Sequence, residues 1–366
     1  MAGDPMTTAT QTTSDATWSA EGTTPDAIEG ALRELLIERH NENPDFVPAR
    51  VLNMIAFVDH EWSGEIANRL RGVGRYHASR TLVISYEPRR ERLDARVTIA
   101  SAGEPANGEP ALLRETVIVE IGDRHLDDLF TITDPLVITD LPTLLWSPHG
   151  HYDLLDGLMG LTQAMLIDSV DEPDPREAID RACALSGQAY VVDLAWLRST
   201  PWRERVAASF DPPPLRAELQ AIESLTIRHH PDSTVAAMLF AGWLGSRLGW
   251  KLSPLTAHDD GLRGGARAIG DREVALRLQG ARELQVRGLE GLTLQTADGR
   301  RMLRLDRGPG GLHAQERDAD GHERTWTIPG ASRGETGILG EGIRQALLRD
   351  PTYLPALRGA EQMLPS

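Results

Sequence analysis

Asp140-Leu141-Pro142-Thr143-Leu144-Leu145-Trp146-Ser147-Pro148-His149-Gly150-His151 opens a stretch that continues through Met165-Leu166-Ile167-Asp168-Ser169-Val170 to Pro175. Leu144 to Trp146 is a short apolar run closed by Pro148 and Gly150, the pattern of a buried parallel strand. Leu154, Leu155, Leu158 and Leu161 then recur at helical spacing. Met165 to Val170 is a second short apolar run, stopped by Asp171, Glu172 and Pro173. Strand, helix and strand in about thirty residues make a βαβ unit, so the fold class is α/β. Ligands of such sheets sit past the carboxyl ends of the strands, which makes Trp146, His149 and His151 candidate site residues.

Upstream, the same alternation of strand and helix continues. Thr24 caps a helix that has Pro25 at its first position and Ile28, Leu32, Leu35 and Leu36 as its apolar stripe. Val51 to Val58 is an inner strand ending at Asp59. Trp62, Ile66 and Leu70 mark a helix that stops at Gly72. Strands follow at Arg80 to Tyr86, Leu93 to Ala100 and Thr116 to Ile121, with a polar loop from Gly103 to Pro110. In the last strand Val117 and Val119 share one face and Ile118 and Glu120 the other. These elements predict a mainly parallel sheet with an antiparallel edge. Met1 to Thr23 is Thr, Ser, Ala and Gly with Trp18 among them, a segment too poor in apolar residues to fold.

Downstream, Asp174-Pro175-Arg176-Glu177 reads as a cap, a proline and a capping glutamate. The helix it starts should run to Gly187 with Ala178, Ile179, Ala182 and Leu185 inward. Tyr190 to Leu197 is an apolar run with Asp193 inside it. Thr200-Pro201 begins a helix ended by Asp211-Pro212-Pro213-Pro214. Glu223 to His229 is a strand, and Asp232 caps a helix to Gly249 that is apolar nearly all round and therefore central. Val274, Leu276 and Leu278, then Leu292 and Leu294, then Leu303 and Leu305 alternate with polar residues. Asp298-Gly299 and Asp320-Gly321 turn between such runs, which predicts an antiparallel meander. A terminal helix, Gly340 to Leu348, closes the chain. The expected organisation is a disordered tail at 1–24, an N-terminal α/β domain with flanking helices at 25–172, and a C-terminal α+β domain with the meander at 173–366.

The chain has 366 residues and a net charge of −16, which argues against nucleic acid or an anionic membrane as main partner. Lys251 stands alone against many arginines. One cysteine, Cys183, excludes an intrachain disulfide, and a reducing cytoplasm is the simplest compartment. No apolar run reaches the roughly twenty residues of a membrane span, and the N-terminus lacks a secretion signal pattern.

Motifs for chemistry are sparse. There is no GxxxxGK[ST] loop and no GxSxG elbow. Gly72-Val73-Gly74 follows a helix and lacks a third glycine, so it is a helix terminator and not a dinucleotide fingerprint. No cofactor is expected. His149 and His151, with Asp153 nearby, could begin a metal site, but no third ligand follows at a convincing spacing, so no metal is expected. His229-His230 reads as a surface strand end. Asp168, Asp171, Glu172 and Asp174 could hold Mg²⁺ but read better as solvated linker. Cys183 reads as a buried small residue on a helix. The unusual segment is Trp196-Leu197-Arg198-Ser199-Thr200-Pro201-Trp202-Arg203. Trp and Arg are enriched where proteins meet, so Trp196, Arg198, Trp202 and Arg203 join Trp146, His149 and His151 as candidate partner-interface residues. The plainer account places one Trp in the core and pairs Arg198 with Asp193.

Tyr190-Val-Val-Asp193-Leu-Ala-Trp196, Thr200-Pro201-Trp202-Arg203 and the helix from Ser233 through Trp243 to Arg247 resemble the actinobacterial-type OpcA proteins. So do Asp140-Leu141-Pro142, Trp146-Ser147-Pro148, Asp168-Ser169 and His77-Ala78-Ser79-Arg80. The resemblance covers most of the chain from about Ala31. It implies an assembly protein for glucose-6-phosphate dehydrogenase, a non-catalytic partner that promotes the active oligomer in the oxidative pentose phosphate pathway. It also implies an N-terminal α/β domain followed by a distinct C-terminal domain. Relatives regulated through cysteines offer no parallel here, since Cys183 cannot form an intramolecular switch. His77-Ala78 departs from the His-Pro of the family motif. The alternatives are a small-molecule or sugar-phosphate hydrolase using His149, His151 and Asp168, and a carbohydrate-binding module in the meander.

Overall fold

A computed structural model describes residues 15–365 apart from 49, 74–77, 102–110 and 330–334. It divides into two compact units, Met1–Thr162 and Gln163–Ser366. The readings at Gly74, His77 and Gly103 to Pro110, and the tail before residue 15, lie outside the described residues.

The first unit contains β1 (Ala16–Ala20), α1 (Pro25–Glu42), β2 (Phe46–Pro48), β3 (Leu52–Asp59), α2 (Ser63–Val73), β4 (Ser79–Tyr86), β5 (Asp94–Ser101), β6 (Ala111–Ile121), α3 (Leu129–Thr133), β7 (Thr143–Trp146) and α4 (Asp156–Met159). Its strands lie in the order β1-β5-β6-β4-β3-β7, with β2 also beside β6. The pairs β3–β4, β3–β7, β4–β6 and β2–β6 are parallel. The pairs β5–β6 and β1–β5 are antiparallel. This is the mainly parallel sheet with an antiparallel edge that the alternating pattern predicts. β3 and β7 are buried almost throughout, as inner parallel strands are when both faces are covered.

Two expectations change here. Ala16 to Ala20, placed in the disordered tail, form β1 and pair with Ala95 to Ile99. Backbone hydrogen bonding to an open sheet edge orders a segment whose side chains alone could not. After β7 the helical run shrinks to a 3₁₀ turn at Tyr152–Leu154 and the single turn of α4. Left-handed Gly150 and His151 and the glycines at 157 and 160 break the spacing of the leucines into short pieces.

The second unit contains β8 (Ala164–Ile167), α5 (Pro175–Ser186), β9 (Tyr190–Asp193), α6 (Leu194–Arg198), α7 (Thr200–Phe210), α8 (Pro213–Leu219), β10 (Ile222–His229), α9 (Thr234–Leu248), β11 (Lys251–Leu252), β12 (Thr256–His258), β13 (Gly261–Ala268), β14 (Arg272–Gly280), β15 (Leu289–Thr296), β16 (Met302–Gly308), β17 (Gly311–Arg317), β18 (Glu323–Pro329), α10 (Glu335–Leu348) and α11 (Tyr353–Gln362). The compact units divide before β8, whereas the sequence suggests a boundary after residue 172. Asp174 accepts the Arg176 N–H at 2.8 Å, and α5 buries Ala178, Ile179, Ala182 and Leu185, as its pattern predicts.

A sheet in this unit runs β11-β13-β14-β10-β15-β16-β17-β18, with β12 also on β13. The expected meander is interrupted: β10, from much earlier in the chain, inserts between β14 and β15, parallel to one and antiparallel to the other. The alternating leucines share one buried face, and α9 packs on the part of it formed by β10 and β14. The other face carries Ser224, Thr226, Arg277, Thr293 and Arg304. Two further helices, α8 and α11, follow where the sequence suggested loop and chain end. The apolar run Tyr190 to Leu197 divides into two elements: Asp193 ends β9 and caps α6 by accepting the Ala195 N–H at 2.9 Å.

α9 and α11 cross at a pair of glycines. A Cβ added to Gly359 would lie 2.7 Å from the Gly242 Cα. The backbones meet directly, so neither position has room for a side chain. Gly359→Ala should cost about 1–3 kcal/mol through overpacking, read as a lower melting temperature at unchanged secondary structure.

Candidate functional site

In the first unit three neighbouring parallel strands end on one rim. Asp59 closes β3 and stands in register with Tyr86, the end of β4. β7 lies on the other side of β3, with Trp146 opposite Ala56, and leads into Ser147-Pro148-His149-Gly150-His151. Gly150 has φ 86° and His151 φ 55°. For a residue with a Cβ the left-handed region costs of order 1–3 kcal/mol and persists only where surroundings hold it. What holds His151 is visible. Its Nε2 lies 2.7 Å from Asp59 Oδ1, and the rings of Phe57 and Tyr86 flank it edge-on at 5.7 and 5.6 Å.

His149 is fixed from the same residue. Its Nδ1 accepts the Asp59 backbone N–H at 3.1 Å, so that nitrogen carries no proton and the neutral ring is the Nε2–H tautomer. Burial lowers its pKa from the ordinary 6.5, against the opposing pull of Asp59. Trp62, in the turn after β3, lies 6.2 Å from the His149 ring and is 45% exposed. Tyr86 Oη donates to Asp123, and burial followed by that bond pushes its phenol up to about 12. Below the rim, His60 Nδ1 and the buried Ser85 Oγ lie 2.9 Å apart. The rim thus surrounds one carboxylate, Asp59, with an oriented imidazole, a neutral imidazole, a phenol that stays protonated and an exposed indole. Such a set can hydrogen-bond a polar group or seat a partner's side chain, and the Asp59–His151 pair could serve as a general base.

Trp146, expected to share this rim, is 4% exposed. An inner strand has protein on both faces, so Trp146 is the floor and not the wall. Asp168, expected beside the histidines, is paired instead with Arg198 at 2.7 Å inside the second unit. The carboxylate that meets His149 and His151 is Asp59. Sequence spacing missed Asp59, Trp62 and Tyr86 as site residues, though Asp59 and Tyr86 were legible as the ends of apolar strands.

In the second unit the Trp–Arg motif is mostly interior. Trp196 and Trp202 are each 2% exposed and Arg203 is 8% exposed. Trp196 Nε1 donates to Asp350 at 2.8 Å and its ring lies 5.8 Å from that of Tyr353. The Arg203 guanidinium stacks over Trp196 at 3.4 Å and bonds Ser199 Oγ and Thr200 Oγ1. Side chains so enclosed offer little surface, which corrects Trp196, Trp202 and Arg203 from contact residues to packing. Arg198 does not pair with Asp193. That carboxylate is fully buried and accepts from Ser169 N at 3.1 Å, Ser169 Oγ, Ala195 N and, at 3.2 Å, Tyr353 Oη. Burial first, and then the nearby Asp168, raise its pKa to about 6 despite those donors.

The acidic run is solvated at Asp171 and Asp174, but its residues have protein partners as well. Asp171 pairs with Arg287, Glu172 with Arg181 at 2.8 Å, and Asp174 caps α5. His229 is buried, not at the surface, and burial lowers its pKa. Cys183 is half-buried, and burial raises its thiol pKa. Among the described residues, Asp318, Asp320 and His322, on an exposed turn, bring three such ligand atoms within 4.8 Å of one another. No helix of the described residues is long and apolar enough to cross a membrane.

The geometry is that of a two-unit α/β protein with a polar rim on its parallel sheet and an interior Trp–Arg cluster in its second unit. Residues 71–184 match the family model described as the glucose-6-phosphate dehydrogenase subunit N-terminal domain, and residues 189–357 match that of the C-terminal domain. The chain belongs to the OpcA family. It is 30% identical over 141 residues to the OxPP cycle protein OpcA of Synechococcus elongatus, covering 37% of this chain and 32% of that one. Against its namesake in Synechocystis sp. the identity is 28% over 129 residues, 34% of this chain and 27% of the other. The matched region therefore spans about a third of the length of these curated relatives. Among solved structures, an aldose-aldose oxidoreductase from Caulobacter crescentus has TM-score 0.46 and 10% identity, over 85% of this chain and 96% of that one. A scyllo-inositol dehydrogenase from Lactobacillus casei has TM-score 0.44 and 11% identity, over 87% and 96%. Likeness at that level carries nothing about chemistry.

Two outcomes are expected. The folded pKa of His149 lies below 6.5, so the unfolded chain takes up more protons as pH falls through that value. Its contribution to stability is therefore present above pH 6.5 and declines on acidification. A ring-nitrogen NMR titration should show His149 titrating below an ordinary imidazole, with the proton of its neutral form on Nε2, and His149→Gln should flatten that part of the stability profile. Trp202→Ala should destabilise the chain by about 3–5 kcal/mol, seen as an earlier denaturant midpoint.

Proposed function

We propose that this chain is a non-catalytic partner of glucose-6-phosphate dehydrogenase that promotes its active oligomer in the oxidative pentose phosphate pathway, in the cytoplasm. The observation that carries the reading is the match of both halves, in chain order, to models described as subunit domains of that enzyme. The names of the curated relatives, which refer to the OxPP cycle, support the pathway. The strand–helix turn after β3 is Asp59-His60-Glu61-Trp62-Ser63, with no glycine cradle for a pyrophosphate, which fits a protein that does not itself bind the dinucleotide.

Of the candidate contact residues, His149, His151 and Arg198 retain exposed surface, and Trp62 joins them. An exposed indole braced on an imidazole has the character of an interface anchor, where truncation can cost about 2 kcal/mol or more. A second reading has one specific support, the strained His151 held by Asp59. Under it the rim turns over a small ester, with Asp59 taking the place given to Asp168.

Adding the purified chain to the matching dehydrogenase should raise its activity and its sedimentation coefficient together. Trp62→Ala should weaken that activation several-fold at unchanged melting temperature, and calorimetry with NADP should show no micromolar binding to the chain alone. A dehydrogenase unmoved in both activity and size would overturn the assembly reading. Ester turnover by the chain alone, lost in His151→Asn, would establish the second.

A further inference from the structure

Apart from the rim, the second unit has a cleft of about 220 Å³ at the α6–α7 junction. Leu197, Pro201, Trp202 and Leu312 give it apolar walls, and Arg198, Arg287 and Arg307 give it charge. The three arginines are not equivalent. Arg198 is held by Asp168 and Arg287 by Asp171. Arg307, on β16, is half-buried and pairs with no carboxylate among the described residues. Its Nε donates to the Leu289 carbonyl at 3.1 Å, one of five guanidinium donors. Gly288, at φ 112°, lets the guanidinium lie against the chain: a Cβ there would be 3.5 Å from Nη2. Burial lowers the Arg307 pKa, with no acidic neighbour acting against it. Among the described residues lining the cleft, Glu204 alone bears a carboxylate, and it is exposed.

A half-buried cation with no counter-ion is costly in a chain with a net charge of −16, where acids are plentiful. The cost is accounted for if the counter-ion is a ligand. We propose that this cleft binds a small organic anion, with its phosphate or carboxylate group on Arg307 and its short body against Pro201 and Val286, the apolar lining residues that keep surface. A planar guanidinium offers paired N–H donors that match either group. The size sets the class: the cleft is below the roughly 300–1,000 Å³ of drug-sized sites, so a metabolite of a few carbons fits and a dinucleotide does not. The site does not depend on the dehydrogenase reading and is testable on the chain alone.

The probes are inorganic phosphate and succinate, titrated calorimetrically into the full chain at low ionic strength. One of them should bind at a single site, and which one does so distinguishes a phosphate from a carboxylate ligand. Arg307→Gln should weaken that binding at least tenfold. Arg287→Glu, which puts a carboxylate on the lip, should do the same should Arg307→Gln not fold. Arg277→Gln, which changes an exposed side chain of β14 outside the cleft, should leave it unchanged. Binding of neither probe, undiminished binding in a folded Arg307→Gln or Arg287→Glu variant, or equal loss in Arg277→Gln would overturn the proposal.

Discussion

The second unit is organised around one buried carboxylate. Asp193 ends β9, caps α6, takes two bonds from the Ser169 turn after β8 and holds the hydroxyl of Tyr353 at the start of α11. Four donors from three places in the chain converge because a fully buried acid must be satisfied or neutralised. Once α6 starts there, its direction places Trp196 against Tyr353 and Asp350, and Arg203 over Trp196. Arg198 emerges on the side where Asp168 waits. The cleft at the α6–α7 junction is therefore an indirect product of a cap.

The first unit uses a carboxylate differently. Asp59 is the last residue of an inner strand and is 38% exposed on its side chain, with water able to share its solvation. It holds His151 by its side chain and His149 by its backbone. Two rings positioned from one residue need no wide network, which is why a loop as short as Ser147 to His151 keeps a left-handed non-glycine residue in place. The same chemical group is structural where it is enclosed and available where it is not.

Local pattern carried most of the fold. Period-two and helical spacing placed β3 to β7, the buried face of α5 and the buried α9, because each of those signals is contained within its own segment. What failed was non-local. β1 exists through pairing with β5, and β10 enters a sheet between strands that follow it by some fifty residues or more. Neither event leaves a mark in its own segment. The division of the apolar run Tyr190 to Leu197 at Asp193 was not legible, because the donors that satisfy a buried aspartate there come from distant parts of the chain. On the rim, His149 and His151 were legible as a close pair. Asp59 and Tyr86 were legible only as strand ends, since their meeting depends on the parallel register of β3 and β4.

Distinctiveness in sequence and availability in structure therefore separate in this chain. The Trp196-to-Arg203 motif is the most unusual segment and the strongest carrier of family resemblance, yet three of its aromatic and basic side chains are interior. A stacked Trp–Arg pair enclosed by protein is hard to replace, because any change must conserve volume, a cation and its hydrogen bonds together. Such a motif stays recognisable through the demands of packing alone. Groups that keep some surface are less constrained: Trp62, His149 and the half-buried Arg307 each sit in plain sequence and gain meaning from the strand end, the loop or the glycine beside them. In an acidic chain whose fully buried arginines, Arg39, Arg203 and Arg301, are each matched to an acid, a half-buried arginine that lines a cleft with no acid partner among the described residues is a sharper pointer to a ligand than the motif that first draws the eye.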